Sequence, residues 1–198
     1  MFLLSPANSG GERMALVLSP RARFPLAQAV QGEGATIGEV FRFASGLYFR
    51  GKLAYALAFA RPPHGVPGAL VITPGAGLVP VETVIRAEHL RAFGTVPVDA
   101  RDARFRGPLE ADARLLAGRL APDDEVVLLG SIASDKYVDP LLGVLGERLL
   151  FPAAFVGRGD MSRGGLLLRA TRAQVELEYA RVQGAVRHGP RPPRLGRS

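Results

Sequence analysis

A chain of 198 residues with 47% apolar and 22% charged residues can bury the core of one domain, and that apolar content excludes wholesale disorder. It contains no cysteine, which excludes a disulfide scaffold, a thiolate nucleophile, a zinc–thiolate site and an iron–sulfur cluster. The formal net charge is +7, which favours anionic partners.

The elements follow in chain order. Residues 2–4 are apolar and read as a strand, and residues 14–18 (MALVL) as a second one. Pro20 and Pro25 break the chain. Thr36 followed three residues later by Glu39 predicts a capping box, with Ile37, Val40, Phe41 and Ala44 at helical spacing and Gly46 as the stop. A helix is predicted over 51–60, ended by Pro62 and Pro63. Residues 69–73 (ALVIT) read as a buried strand, followed by the loop PGAGLVP, a short helix over 81–93 and a strand over 95–99. Residues 108–120 form an amphipathic helix with Pro108 in its first turn. Residues 125–129 form the clearest strand. A helix over 138–145 follows, then mixed strand and loop over 149–155 and the Gly/Arg-rich turn VGRGDMSRGG. Residues 166–170 fit strand or helix, and 175–179 a last strand. Strands alternating with helices indicate a single α/β domain with a mixed, mostly buried sheet flanked by helices, over residues 1–184.

Residues 185–198 form an Arg/Pro-rich tail, expected to be flexible; its Arg187, Arg191, Arg194 and Arg197 carry over half of the net charge. Such a tail grips phosphates without reading sequence, or serves only as a solubilising terminus. The start of the chain lacks the basic residues and long apolar run of a signal peptide, and no run approaches a membrane helix, so a cytoplasmic protein without membrane association is expected.

Three loops could carry chemistry. The Pro74–Gly77 stretch has glycines for close backbone approach, lacks the phosphate-binding GxxxxGK[ST] pattern, and reads as a tight turn or a ligand loop. After the strand at 125–129 come Ser131, Ser134, Asp135, Lys136 and Tyr137, a set suited to proton transfer or polar binding; the alternative is that Ser134 or Asp135 caps a helix with Lys136 and Tyr137 solvated. Arg158 and Arg163, set among glycines, offer guanidinium forks to an anion, or form a surface turn with Asp160 paired to one of them. The segment with Tyr48, Arg50 and Lys52 places rings beside cations, as base stacking and phosphate neutralisation need; the alternative puts Phe49 and Tyr55 in the core with Arg50 and Lys52 exposed. Lysine occurs only at positions 52 and 136. The scattered His64, His89 and His188 give no metal-site spacing, and neither a metal nor a cofactor is expected.

Leu4-Ser5-Pro6-Ala7-Asn8, Tyr48 with Gly51, Ile72 to Leu78, Ala133-Ser134-Asp135-Lys136-Tyr137 and Arg158-Gly159-Asp160-Met161-Ser162-Arg163 occur in the order of comparable elements in the YaaA-like family. The chain resembles that family and its short uncharacterised relatives. Asn8 stands where the family has lysine, and Lys136 where it has an acid; Lys136 compensates for Asn8 only where the two loops converge. The resemblance implies DNA binding linked to stress response or DNA damage. On that reading Ser5, Asn8, Tyr48, Arg50, Lys52, Ser134, Tyr137, Arg158 and Arg163 frame a basic cleft for nucleic acid, DNA in first place. The alternative is an enzyme acting on a nucleobase, nucleoside or nucleotide, with Lys136 or Asp135 moving the proton. A protein partner is a third possibility, and neither catalysis nor oligomeric state is legible in the sequence.

Overall fold

The computed structural model describes residues 1–8 and 10–193. Strands β1 (Phe2–Leu4), β3 (Ala69–Thr73), β6 (Val126–Leu129) and β7 (Leu149–Pro152) are buried along their whole length, as expected for uninterrupted apolar runs covered on both faces. They run parallel, with Leu3 opposite Leu70 and Leu128. Antiparallel edges close the sheet: β4 (Gly77–Pro80) beside β3 and β8 (Tyr179–Arg181) beside β7, giving the order β4-β3-β1-β6-β7-β8. The fold class is therefore the expected α/β, with a mainly parallel mixed sheet flanked by helices. No helix among the described residues is long and apolar enough to cross a membrane.

The crossover from β1 to β3 carries α1 (Glu12–Leu18), α2 (Pro25–Gln31), the short β2 (Ala35–Thr36), α3 (Ile37–Ser45) and α4 (Leu47–Phe59). The Thr36–Glu39 capping box forms as read, and Gly46, at φ 60°, ends α3 and starts α4. Between β3 and β6 lie β5 (Val84–Ile85), which pairs with β2, then α5 (Ala87–Gly94) and α6 (Ala103–Ala117). Helix α7 (Asp135–Leu145) joins β6 to β7, and α8 (Asp160–Ala173) joins β7 to β8. Helix α4 packs on α8, and α6 on α7.

Several local expectations are corrected. Residues 14–18 are helical, because burial of Met14 and Val17 beside exposed Leu16 follows a helical stripe that a five-residue apolar run cannot distinguish from a strand. Residues 95–99 form no strand, and 81–93 holds β5 and α5 in place of one helix. Asp102 accepts from the Arg104 N–H at 2.9 Å and starts α6 five residues earlier than Pro108 suggested. Helix α4 starts at Leu47, four residues before the expected position. The 158–165 segment is mostly the first half of α8, and the last strand lies at Tyr179–Arg181. The Pro74–Gly77 stretch is a hairpin turn, with Thr73 Oγ1 donating to the Gly77 carbonyl at 3.0 Å.

Candidate functional site

Strand β1 leads one way along the sheet, to β3, and its neighbour β6 leads the other way, to β7. In open α/β sheets the connections splay apart at such a reversal, leaving a crevice outside the carboxyl ends of the two strands. A cavity of about 350 Å³ lies there. Ser5, Pro6, Ala7 and Asn8 line it from the loop after β1, and Ser131, Lys136 and Tyr137 from the loop and helix after β6. Ser45 and Tyr48 contribute from the α3–α4 junction, Val98 from the turn before α6, and Asp160 from the first turn of α8. Asn8 and Lys136 thus share one cavity, which is the convergence that compensation between them requires.

Beneath the floor lies Lys52. It is 1% exposed, one helical turn beyond Tyr48 on α4, and its Nζ donates to the Ser5 carbonyl at 2.6 Å and to Ser5 Oγ at 2.9 Å. The same ammonium nitrogen sits 4.3 Å from the Tyr48 ring centroid and 5.0 Å from that of Phe49. No carboxylate among the described residues forms an ion pair with it. Burial pulls its pKa down to about 7; the Asp160 charge opposes that shift, and Arg163 and Lys136 add to it. Ser5 can occupy this position because residue 130 is glycine: a Cβ there would stand 3.1 Å from Ser5 Cβ.

The two helices that frame this wall cross closely. A Cβ on Gly51 would lie 2.7 Å from the Gly164 carbonyl oxygen, and one on Gly164 would lie 2.8 Å from both the Leu47 oxygen and Tyr48 Cα. Gly164, expected in a surface turn, and Gly51, expected at a helix start, together let two backbones touch. The crossing brings Tyr48 and Lys52 on α4 against Asp160 and Arg163 on α8. Arg163 is buried, donating to the Phe155 carbonyl at 3.3 Å and to Asp160 Oδ1 at 3.4 Å. Burial pushes the phenols of Tyr48 and Tyr137 up, out of the range in which they ionise near neutrality. The Tyr48 hydroxyl is buried, and no residue among the described ones meets it at hydrogen-bond geometry.

Other expected site residues lie elsewhere. Ser134 is exposed at the start of α7 and its side chain makes no capping bond. Asp135 is exposed and ion-paired with Arg187, which points it out of the proton-transfer role. Arg50 faces a separate groove with Arg13 and Arg42. Arg158 lines another with Arg169 and Arg191, and donates to the Ala154 carbonyl at 2.9 Å, Ser162 Oγ at 3.2 Å and the Pro193 carbonyl at 3.4 Å. The expected cleft of arginines is therefore not what the loops enclose: among the described residues the charged lining groups are Lys136 and Asp160, with Lys52 and Arg163 behind them. The expectation that Lys52 is a surface cation is likewise corrected.

Sequence reasoning missed Ser45, Val98 and Asp160 as lining residues and Lys52 as a buried group. Asp160 was accessible in principle, because an acid beside glycine is a common helix start; Val98 carries no local signal. The tail residues up to 193 contact the body through Arg187, and the Pro190 carbonyl lies where a Cβ on Gly157 would go. Arg194 and Arg197 lie outside the described residues. No group of three or more His, Cys, Asp or Glu among the described residues is placed to hold a metal ion. Comparison of the chain with protein-family models, with curated proteins and with solved structures gives no match in any of the three.

Proposed function

We propose that the cavity between β1 and β6 binds one nucleobase- or nucleoside-sized polar ligand. The observation that carries this reading is the cavity's place at the reversal point of the sheet, with a volume of about 350 Å³, at the lower end of the roughly 300–1,000 Å³ typical of small-molecule pockets. Its lining suits a base. The Asn8 amide offers a donor and an acceptor to a base edge, Asp160 accepts from an exocyclic amine, and the Tyr48, Tyr137, Val98 and Pro6 surfaces take the flat faces. Of the two groups considered for proton transfer, Lys136 lines the cavity and Asp135 does not.

A thermal-shift screen of nucleobases, nucleosides and nucleotides tests this. A ligand at about 100 times its Kd stabilises by about 2.7 kcal/mol, which raises the midpoint by roughly 5–10 °C for a domain of this size. Asn8→Ala abolishes the shift. Tyr48→Phe removes a buried hydroxyl that has no partner among the described residues, so the free protein gains about 1 kcal/mol in urea unfolding. A flat screen across all three compound classes rejects the reading.

A second observation favours the DNA binding that a YaaA-like relationship implies. Two arginine-bearing grooves, one with Arg13, Arg42 and Arg50 and one with Arg158, Arg169 and Arg191, meet at Leu47, next to the Tyr48 that lines the cavity. None of these six arginines makes an ion pair among the described residues. A strand along that route would neutralise phosphates by counterion release and set a base over the cavity. Fluorescence anisotropy with a single-stranded oligonucleotide then shows affinity falling steeply with salt, and Arg42→Ala with Arg50→Ala lowers both the affinity and the salt slope. Absence of binding at low salt removes this second reading and leaves the first standing.

A further inference from the structure

We infer that Ser5 and Lys52 form a nucleophile–base pair that takes an acyl group from a small ester or amide held in the cavity. The inference rests on the cavity being the ligand site and goes beyond binding to a reaction. Ser5 has the position of a nucleophile: it is the first residue past β1, it lines the cavity, and its backbone N–H donates to the Leu129 carbonyl at 3.3 Å, to which its hydroxyl also donates at 3.4 Å. Lys52 has the position of a base, with its Nζ 2.9 Å from Ser5 Oγ and its second contact on the Ser5 carbonyl. A nucleophile and base within hydrogen-bond reach, with the base oriented by a further contact, is the arrangement that activates serine.

The environment sets the base's protonation. A lysine ammonium sealed against the Tyr48 and Phe49 rings, with no ion-pair partner among the described residues, loses its proton far more readily than one in water. Lys52 Nζ donates to the Ser5 carbonyl and to Ser5 Oγ, and the Ser5 hydroxyl donates to the Leu129 carbonyl at 3.4 Å. Once Nζ loses a proton it keeps one N–H on the Ser5 carbonyl, and the Ser5 hydroxyl turns from Leu129 to donate to Nζ. Charged groups near it from the packed elements are Asp160 and Arg163 on α8 and Lys136 on α7, and burial outweighs all three.

In the first step the Lys52 amine takes the Ser5 hydroxyl proton as Oγ bonds to the carbonyl carbon and the C=O electron pair moves onto oxygen. That oxyanion carries a single negative charge, which the one lining ammonium, Lys136, can balance. A phosphoryl group would bring two or more negative charges against the Asp160 carboxylate, so an acyl electrophile is the better match. Collapse breaks the bond to the leaving alcohol or amine, which receives the proton from the Lys52 ammonium and leaves an ester on Ser5. Water completes the cycle: Lys52 takes its proton, hydroxide adds to the ester carbonyl, and Ser5 Oγ departs with that proton as the carboxylic acid is released.

Incubating the full chain with p-nitrophenyl acetate, and separately with a fluorophosphonate, then mapping the adduct by mass spectrometry tests the pair. Expected is a single modification on Ser5, absent in Ser5→Ala. Its rate rises with pH and levels off above about pH 7, and falls about 100-fold or more in Lys52→Met. No Ser5 adduct, an adduct rate unchanged in Lys52→Met, or a wild-type rate with no inflection near neutrality each overturns the inference; the last applies even where Lys52→Met fails to fold. Protection of Ser5 by nucleosides supports the pair and the ligand reading together. Labelling without protection retains the pair and rejects the nucleoside class, whereas a nucleoside thermal shift without labelling retains binding and rejects the pair.

Discussion

Gly164→Val lowers stability by about 3 kcal/mol or more, read by urea unfolding, and removes any nucleoside-induced thermal shift. The Cβ alone would sit 2.8 Å from the Leu47 carbonyl oxygen and from Tyr48 Cα, and these are backbone atoms that cannot rotate aside. Overpacking a tight contact typically costs 1–3 kcal/mol, and more where backbone must move; valine adds two methyl groups and a β-branch to that. The only relief is to part α4 from α8. That displaces Tyr48 and Lys52 on one helix from Asp160 and Arg163 on the other, so site and stability fail together. Gly143→Ala is the matched control. It lies in α7 with open space where a Cβ would go, so the gain in helix propensity of roughly 0.5–1 kcal/mol stands alone. Wild-type stability in Gly164→Val would show that the crossing yields and does not position the site.

Stability rises with pH between about pH 7 and pH 10, by about 1 kcal/mol per pH unit, and most of that slope disappears in Lys52→Met. The sign follows from proton counting. Burial lowers the Lys52 pKa to about 7 in the folded chain from the ordinary 10.5, so within that window the unfolded chain binds a proton that the folded chain lacks. Raising the pH therefore favours the folded state. Below about pH 7 both states hold the proton, and the full cost of a buried ammonium is present. The Met1 ammonium, also lowered by burial, adds a smaller slope of the same sign that survives in Lys52→Met. Above about pH 10 the direction reverses, because burial raises the phenols of Tyr48, Tyr137 and Tyr179 and the unfolded chain then ionises first. Urea midpoints at a series of pH values measure all three regimes. A flat profile from pH 7 to pH 10 would mean that Lys52 is solvated in the folded chain.

The pair Ser5 and Lys52 shows how differently two site residues can present themselves in a sequence. Ser5 sits where an apolar run ends in Ser-Pro, a place where chemistry-bearing residues are expected at a strand terminus. Lys52 lies among Leu53, Ala54 and Tyr55 in a helix whose apolar residues surround it on all sides, and no local rule buries a lysine. The arginines erred the other way. Arg50 and Arg158 looked like site residues because they stand beside aromatic and glycine residues, yet Arg50, by its position on α4, and Arg158, in the loop before α8, face other grooves. Only two residues, a rotation of about 200°, separate Tyr48 in the wall from exposed Arg50 on the far side of α4.

The residues by themselves settle the α/β class and the strands at 2–4, 69–73 and 125–129, whose short apolar runs suit a covered parallel sheet, although a run of the same kind at 14–18 is helical. They also settle the Thr36–Glu39 helix start, whose two hydrogen bonds span only three residues. Tertiary structure alone decided that β1 lies between β3 and β6. It also decided that Gly51 meets Gly164 and that Lys52 is closed in beneath Ser5. Each of these depends on contacts between residues 47 to well over 100 positions apart, where burial and close packing, not local propensity, select the partner.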